Sequence, residues 1–113
     1  MMDAMALLPY SDAVATPHDD DFDEWARWFK CLADPTRLRI LHHVAGLDAP
    51  IAVGRIVDAL SLTQSNVSHH LRVLAEQQFV ALEADGVRTL VSANPLCMTE
   101  LPQAADAIMH QTR

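Results

Sequence analysis

The chain has 113 residues, half of them apolar, yet no apolar run approaches the roughly 18–20 residues needed to cross a bilayer. A chain of this length closes one hydrophobic core, so a single soluble domain with no membrane partner is expected. The formal net charge of −7 argues against a phosphate-rich partner, but the charge is unevenly placed. Residues 1–24 carry seven acids and no Lys or Arg, while the rest of the chain balances eight acids against eight basic residues. Nucleic-acid binding therefore stays open. The N-terminal stretch lacks the basic region that opens a signal peptide. Cys31 and Cys97 form neither a CxxC pair nor a disulfide framework. A cytoplasmic protein with reduced thiols is expected.

Residues 1–20 contain Pro9, Pro17 and small or acidic side chains without sustained periodicity. They read as a flexible acidic arm, leaving 21–113 as the folded domain. Trp25, Trp28, Phe29 and Leu32 then fall at i, i+3, i+4 and i+7, the apolar stripe of a first helix over about 22–33. "ADPTRLRILHHVAG" carries a full set of helix signals: Asp34 as N-cap, Pro35 at N1, Leu38, Leu41 and Val44 facing inward, and Gly46 as the stop. After a linker with Asp48 and Pro50, "VGRIVDALSL" predicts a short third helix burying Ile56, Val57 and Leu60, with no good capping side chain at its start.

Thr63 is a good N-cap for a fourth helix over about 64–77, joined to the third by about three residues, the connection of a helix-turn-helix. Two strand-like runs follow, Val80 to Ala84 and Val87 to Ser92, joined around Asp85-Gly86, a strong hairpin signal. An isolated hairpin is marginal, so this one must lean on the helices. The last segment places Leu101, Ala104, Ala105, Ile108 and Met109 on one helical stripe, with Pro102 tolerable near the first turn or as a kink. Its apolar side needs a partner, and the tryptophan stripe of the first helix, from the same or another chain, is a candidate.

In "LTQSNVSHHLRVL", Val67, Leu71 and Leu74 share the core face with His70. The opposite face presents Ser65, Ser68, His69, Arg72 and Glu76 at i, i+3, i+4, i+7 and i+11, joined by Gln64 at the helix start. Amide, hydroxyl and imidazole groups address base edges in a major groove, and Arg72 reaches phosphate. The bland alternative is a solvated face. The order helix, helix, turn, helix, hairpin describes a mainly α fold with a small β-hairpin wing, a winged helix-turn-helix.

"KCLADPTRLRILHHV", "LTQSNVSHHLRVLAEQQFV" and the wing "EADGVRTLVSA" resemble the ArsR/SmtB family of bacterial repressors, over about residues 24–112. The resemblance implies a homodimer through the first and last helices, bound to double-stranded operator DNA with the fourth helix in the major groove. It assigns DNA contacts to Gln64, Ser65, Ser68 and His69, and a phosphate or minor-groove contact to Arg88 on the wing. His70 matches a position that is usually histidine, with a structural role implied by its core-side phase.

The same resemblance implies release from DNA by a metal ion, a metalloid or an oxidant, and two known ligand patterns are missing. The third helix offers no Cys or His, and Pro95, Cys97, Ile108 and Gln111 stand where a hard oxygen and nitrogen set would open and close the last helix. Cys31 and Cys97 lie in the elements used for dimerisation, and as thiolates they would suit arsenite, mercury, cadmium or a redox switch. His18 beside Asp19, Asp20 and Asp21, with His110 as a far partner, would suit zinc; a charged arm is the competing reading. Each cysteine taken alone is better explained as a small core residue. An enzyme is not expected, since there is no glycine-rich phosphate loop, nucleophile elbow or paired acid with a cleft signature. The rival classes are a winged-helix module that binds protein and a repressor without an effector.

Overall fold

A computed structural model of the chain describes residues 17–110; most of the expected acidic arm lies outside them. The elements in chain order are α1 (Asp19–Leu32), α2 (Pro35–Ala45), β1 (Ile51–Ala52), α3 (Val53–Leu60), α4 (Gln64–Glu76), β2 (Val80–Asp85), β3 (Arg88–Ala93) and α5 (Pro95–Met109). The fold is mainly α with a small antiparallel sheet of order β1-β3-β2, a winged helix-turn-helix. No described helix is long and apolar enough to cross a membrane.

Helix α1 begins earlier than its apolar stripe suggests. Asp19 and Asp20, expected in the arm, form its first turn with Asp21, where carboxylates favour the positive end of the helix dipole. The His18 backbone N–H donates to the Asp21 carboxylate at 2.9 Å. Trp25 and Leu32 are buried, but Phe29 is exposed. Helix α2 starts as its sequence predicts: the Asp34 carboxylate accepts from the Thr36 and Arg37 backbone N–H groups at 2.8 and 3.1 Å, with Pro35 at N1. These bonds favour the ionised form and hold the Asp34 carboxyl below its usual range.

The inward stripe of α2 corrects the expectation. Ile40 and Val44, one turn apart, are buried, whereas Leu38 is 49% exposed. Ile40 is 200° of helical rotation beyond Leu38, so the two residues cannot serve the same face. The core formed by Ile40, Ile56, Val67, Leu71, Leu74, Phe79 and Val91 lies between α2, α3, α4 and the sheet.

Strand β1 interrupts the stretch expected as a linker. Its two residues pair with β3, Ile51 opposite Val91 and Ala52 opposite Leu90, and so anchor the wing to the start of α3. The wing turn also differs by one position: Asp85 pairs with Arg88, which makes Gly86 and Val87 the loop rather than Asp85 and Gly86. Gly86 takes φ 64°, as a two-residue Gly-X hairpin requires, and Val87 is fully exposed at the tip.

Helix α4 ends in a Schellman motif. The Gln78 N–H donates to the Ala75 carbonyl at 2.9 Å and the Phe79 N–H to the Leu74 carbonyl at 3.0 Å. Gln78 occupies the left-handed position at φ 64°, and the buried Leu74 and Phe79 provide the accompanying apolar contact. Helix α5 is capped by Asn94, whose side chain accepts from the Leu96 N–H at 3.0 Å and donates to the Gln78 carbonyl at 2.9 Å. Pro102 lies in the middle of α5 rather than in its first turn; its missing N–H leaves one helical carbonyl without its usual partner.

Candidate nucleic-acid interface

The turn between α3 and α4 is built from local bonds. Ser61 closes α3 in the left-handed conformation with φ 55°, and the Leu62 N–H donates to the Val57 carbonyl at 3.1 Å. Arg39 of α2 donates to the Leu60 carbonyl at 3.2 Å, satisfying a carbonyl freed at the end of α3. The Thr63 hydroxyl accepts from the Asn66 N–H at 3.2 Å and starts α4. With Val67, Leu71 and Leu74 buried, the phase of α4 is set and its other face is presented outward.

Gln64, Ser65, His69 and Arg72 are exposed and Ser68 is half-buried. Gln64, Ser68 and Arg72 line an open hollow of about 1330 Å³ between α3, α4 and the wing, together with Arg55 of α3 and Arg88 of β3. Ser65 and His69 lie outside that hollow. Arg88 is held by Asp85 across the wing turn at 2.6 Å. Arg55 escaped the sequence reading; its one signal is that it is the single cation of "VGRIVDALSL".

His70 is half-buried on the inner flank of α4, its Nδ1 3.1 Å from Nη1 of Arg37. Its ring meets that of His69 edge-on, with centroids 5.2 Å apart. Burial, more than any neighbouring charge, pushes the His70 imidazole below its ordinary value. Arg37 also donates through Nε to the Cys31 carbonyl at the end of α1. Neither of these bonds was legible in the sequence.

The expected sensing residues are dispersed over separate partners. Cys31 and Cys97 are free and buried. The Cys31 thiol donates to the Val73 carbonyl at 3.7 Å and the Cys97 thiol to the Gln78 carbonyl. Burial raises both thiols, which favours the protonated form over the thiolate that binds metals. His18 and His110 are exposed, and His110 Nδ1 lies 2.9 Å from the Asp106 carboxylate on its own helix. Among the described residues no group of three or more His, Cys, Asp and Glu side chains is arranged to hold a metal ion.

Comparison with known proteins places this geometry. The profile of the bacterial regulatory protein, arsR family, matches residues 34–81, which cover α2 to the start of β2. A probable mercury resistance operon repressor of Streptomyces lividans is 32% identical over 87 residues, 77% of this chain and 63% of that protein. The chain thus matches somewhat less than two thirds of that relative's length. An uncharacterized HTH-type transcriptional regulator of Methanocaldococcus jannaschii is 34% identical over 67 residues, 59% of this chain and 74% of that protein. Among solved structures, the homodimeric winged helix-turn-helix DNA-binding domain of a possible ArsR-family regulator from Mycobacterium bovis superposes with a TM-score of 0.64 at 23% identity, covering 88% of this chain and 98% of that one. The chain belongs to the ArsR family of bacterial regulatory proteins.

Proposed function

We propose that the protein is a transcriptional repressor that binds double-stranded operator DNA in the cytoplasm as a homodimer. The observation that carries the proposal is the outward polar face of α4, whose Gln64, Ser68 and Arg72 share one hollow with Arg55 and Arg88. Gln64, Ser65, Ser68 and His69 address base edges in the major groove, while Arg55, Arg72 and Arg88 meet phosphates. Helices α1 and α5 form the dimer interface, where Phe22, Phe29, Leu96, Met98, Ile108 and Met109 leave apolar surface exposed. The homodimeric M. bovis domain supports that assembly.

The relation to a mercury resistance repressor brings a thiophilic metal ion or metalloid into the proposal as effector. Cys31 and Cys97 are the soft donors. The described residues of one protomer do not supply a three-ligand set.

The test is fluorescence anisotropy with the duplex upstream of the protein's own gene. Binding that falls steeply with salt and prefers an inverted repeat with half-sites about one turn apart supports the repressor. Indifference to DNA at low salt overturns it in favour of a protein-binding module. Arsenite, mercury, cadmium, zinc and peroxide are then added in turn. Release by a soft ion or peroxide that survives Cys31→Ser with Cys97→Ser removes the cysteines from sensing, and release by none leaves an effector-independent repressor.

A further inference from the structure

The bonds of Arg37 join three helices that are distant in sequence. It stands in the first turn of α2, donates through Nε to the Cys31 carbonyl in the last turn of α1, and places Nη1 3.1 Å from His70 Nδ1 on α4. The first acceptor is one of the carbonyls that a helix end leaves without an internal partner. The second lies on the buried flank of the helix whose outer flank carries Ser68, His69 and Arg72. A planar guanidinium presents its donors in a fixed fork, so engaging both acceptors sets the position of α4 against the end of α1. We infer that Arg37 is a positioning residue that fixes the DNA-reading helix relative to the dimerisation helix, and that this hold is released when His70 takes up a proton. The inference rests on the DNA-binding reading for its consequence, but not for its geometry.

The argument for release is one of donors and acceptors. A guanidinium has no acceptor atom, so His70 Nδ1 must offer its lone pair and the ring proton must sit on Nε2. Protonation at Nδ1 removes that lone pair and sets two cations against each other. The charged groups acting on His70 are Asp34 and Arg37 of α2 and His69 of α4. Asp34 favours the protonated ring; Arg37 and His69 oppose it. From α1, Cys31 reaches the pair through its carbonyl, which accepts from Arg37, and burial pushes its thiol above the ordinary value. Burial disfavours the imidazolium further, so the bond is present at neutral pH. A ring depressed in the folded state contributes stability above its ordinary range that is lost as pH falls, and here the loss loosens α4.

The decisive experiment uses the full chain, the variants Arg37→Gln and His70→Asn, and two readouts. Asparagine places a non-titrating acceptor near the position of Nδ1. The first readout is ¹⁵N NMR of the histidine rings without DNA. The expected result is an Nε2–H tautomer for His70 at neutral pH and a titration midpoint that moves upward in Arg37→Gln. A proton on Nδ1 at neutral pH, or an unmoved midpoint, overturns the inference. The second readout is affinity from pH 8 to pH 5 for an inverted-repeat duplex that the wild-type chain selects from random DNA. Arg37→Gln is expected to bind roughly three- to tenfold more weakly at pH 8, the worth of one hydrogen bond. His70→Asn is expected to match the wild type at pH 8 and to retain more affinity than it at pH 5. Identical pH profiles for wild type and His70→Asn overturn the release step. Failure of the wild type to select any duplex overturns the DNA-binding reading instead, and the ring titration still decides the positioning role.

Discussion

Helices α3 and α4 leave amides, hydroxyls and arginines at the surface, whereas α1 and α5 leave large apolar side chains there. Of the ten large apolar residues exposed among the described residues, six lie in α1 and α5, from Phe22 to Met109, two lie in the wing, and none lies in α4. The charges divide in the same sense. Arg55, Arg72 and Arg88 line the hollow together with Asp48 and Asp58, while the first turn of α1 carries three acids. The net charge of −7 therefore averages two unlike surfaces. In the proposed repressor, α3 and α4 with the wing are the reading half, which meets a polyanion, and α1 with α5 is the pairing half, which meets a second copy.

The largest predicted effect comes from placing charge on the pairing half. Ile108→Glu with Met109→Glu places charges on exposed apolar positions of α5. Monomers in sedimentation are expected, with operator affinity reduced on the order of 10²–10⁴-fold through loss of bivalent binding. A dimer of unchanged stability would break the comparison. A smaller effect sharpens the reading half: Gln64→Ala should relax preference at one base pair by about 1–3 kcal/mol, measured by competition among single-base operator variants, with the oligomeric state unchanged.

Thr63→Ala removes the oxygen that starts α4 and should cost about 0.5–2 kcal/mol of stability in denaturant unfolding. Its effect on dimerisation should be small, because the lost bond lies in the reading half. The smallest effect concerns the joint between halves. Gln78→Gly relieves a left-handed backbone position and should raise stability by up to about 1 kcal/mol after the extra entropy of glycine in the unfolded chain is subtracted. A loss of stability in thermal melts would show that the Gln78 side chain contributes more than its backbone strain costs.

What the sequence revealed, and what it concealed, follows the range of the forces concerned. Asp34-Pro35 and Thr63 mark helix starts because capping bonds span two or three residues. The turn into α4 was legible for the same reason, and with it the polar face of α4, since the buried phase of Val67, Leu71 and Leu74 determines what faces out. Strand β1 was not, because two residues show no alternation and exist as a strand only by pairing with β3. Leu38 and Ile40 were exchanged because both are apolar and only the packing partners of α2 decide between them. Arg37 and His70 are 33 positions apart, and no local pattern signals such a bond. The dispersal of Cys31 and Cys97 onto separate carbonyls of the α4 end was equally hidden, because it depends on how α1 and α5 pack around that end.

In the proposed repressor, the ion pair across the wing turn bears on how the protein searches DNA. Arg88 arrives already neutralised by a carboxylate 2.6 Å away, so it adds little to the long-range field that draws a protein toward a duplex. A phosphate displaces Asp85 only at contact distance, after α4 has found its groove. On that reading the wing is the last part to commit, closing on a site the helix has already accepted.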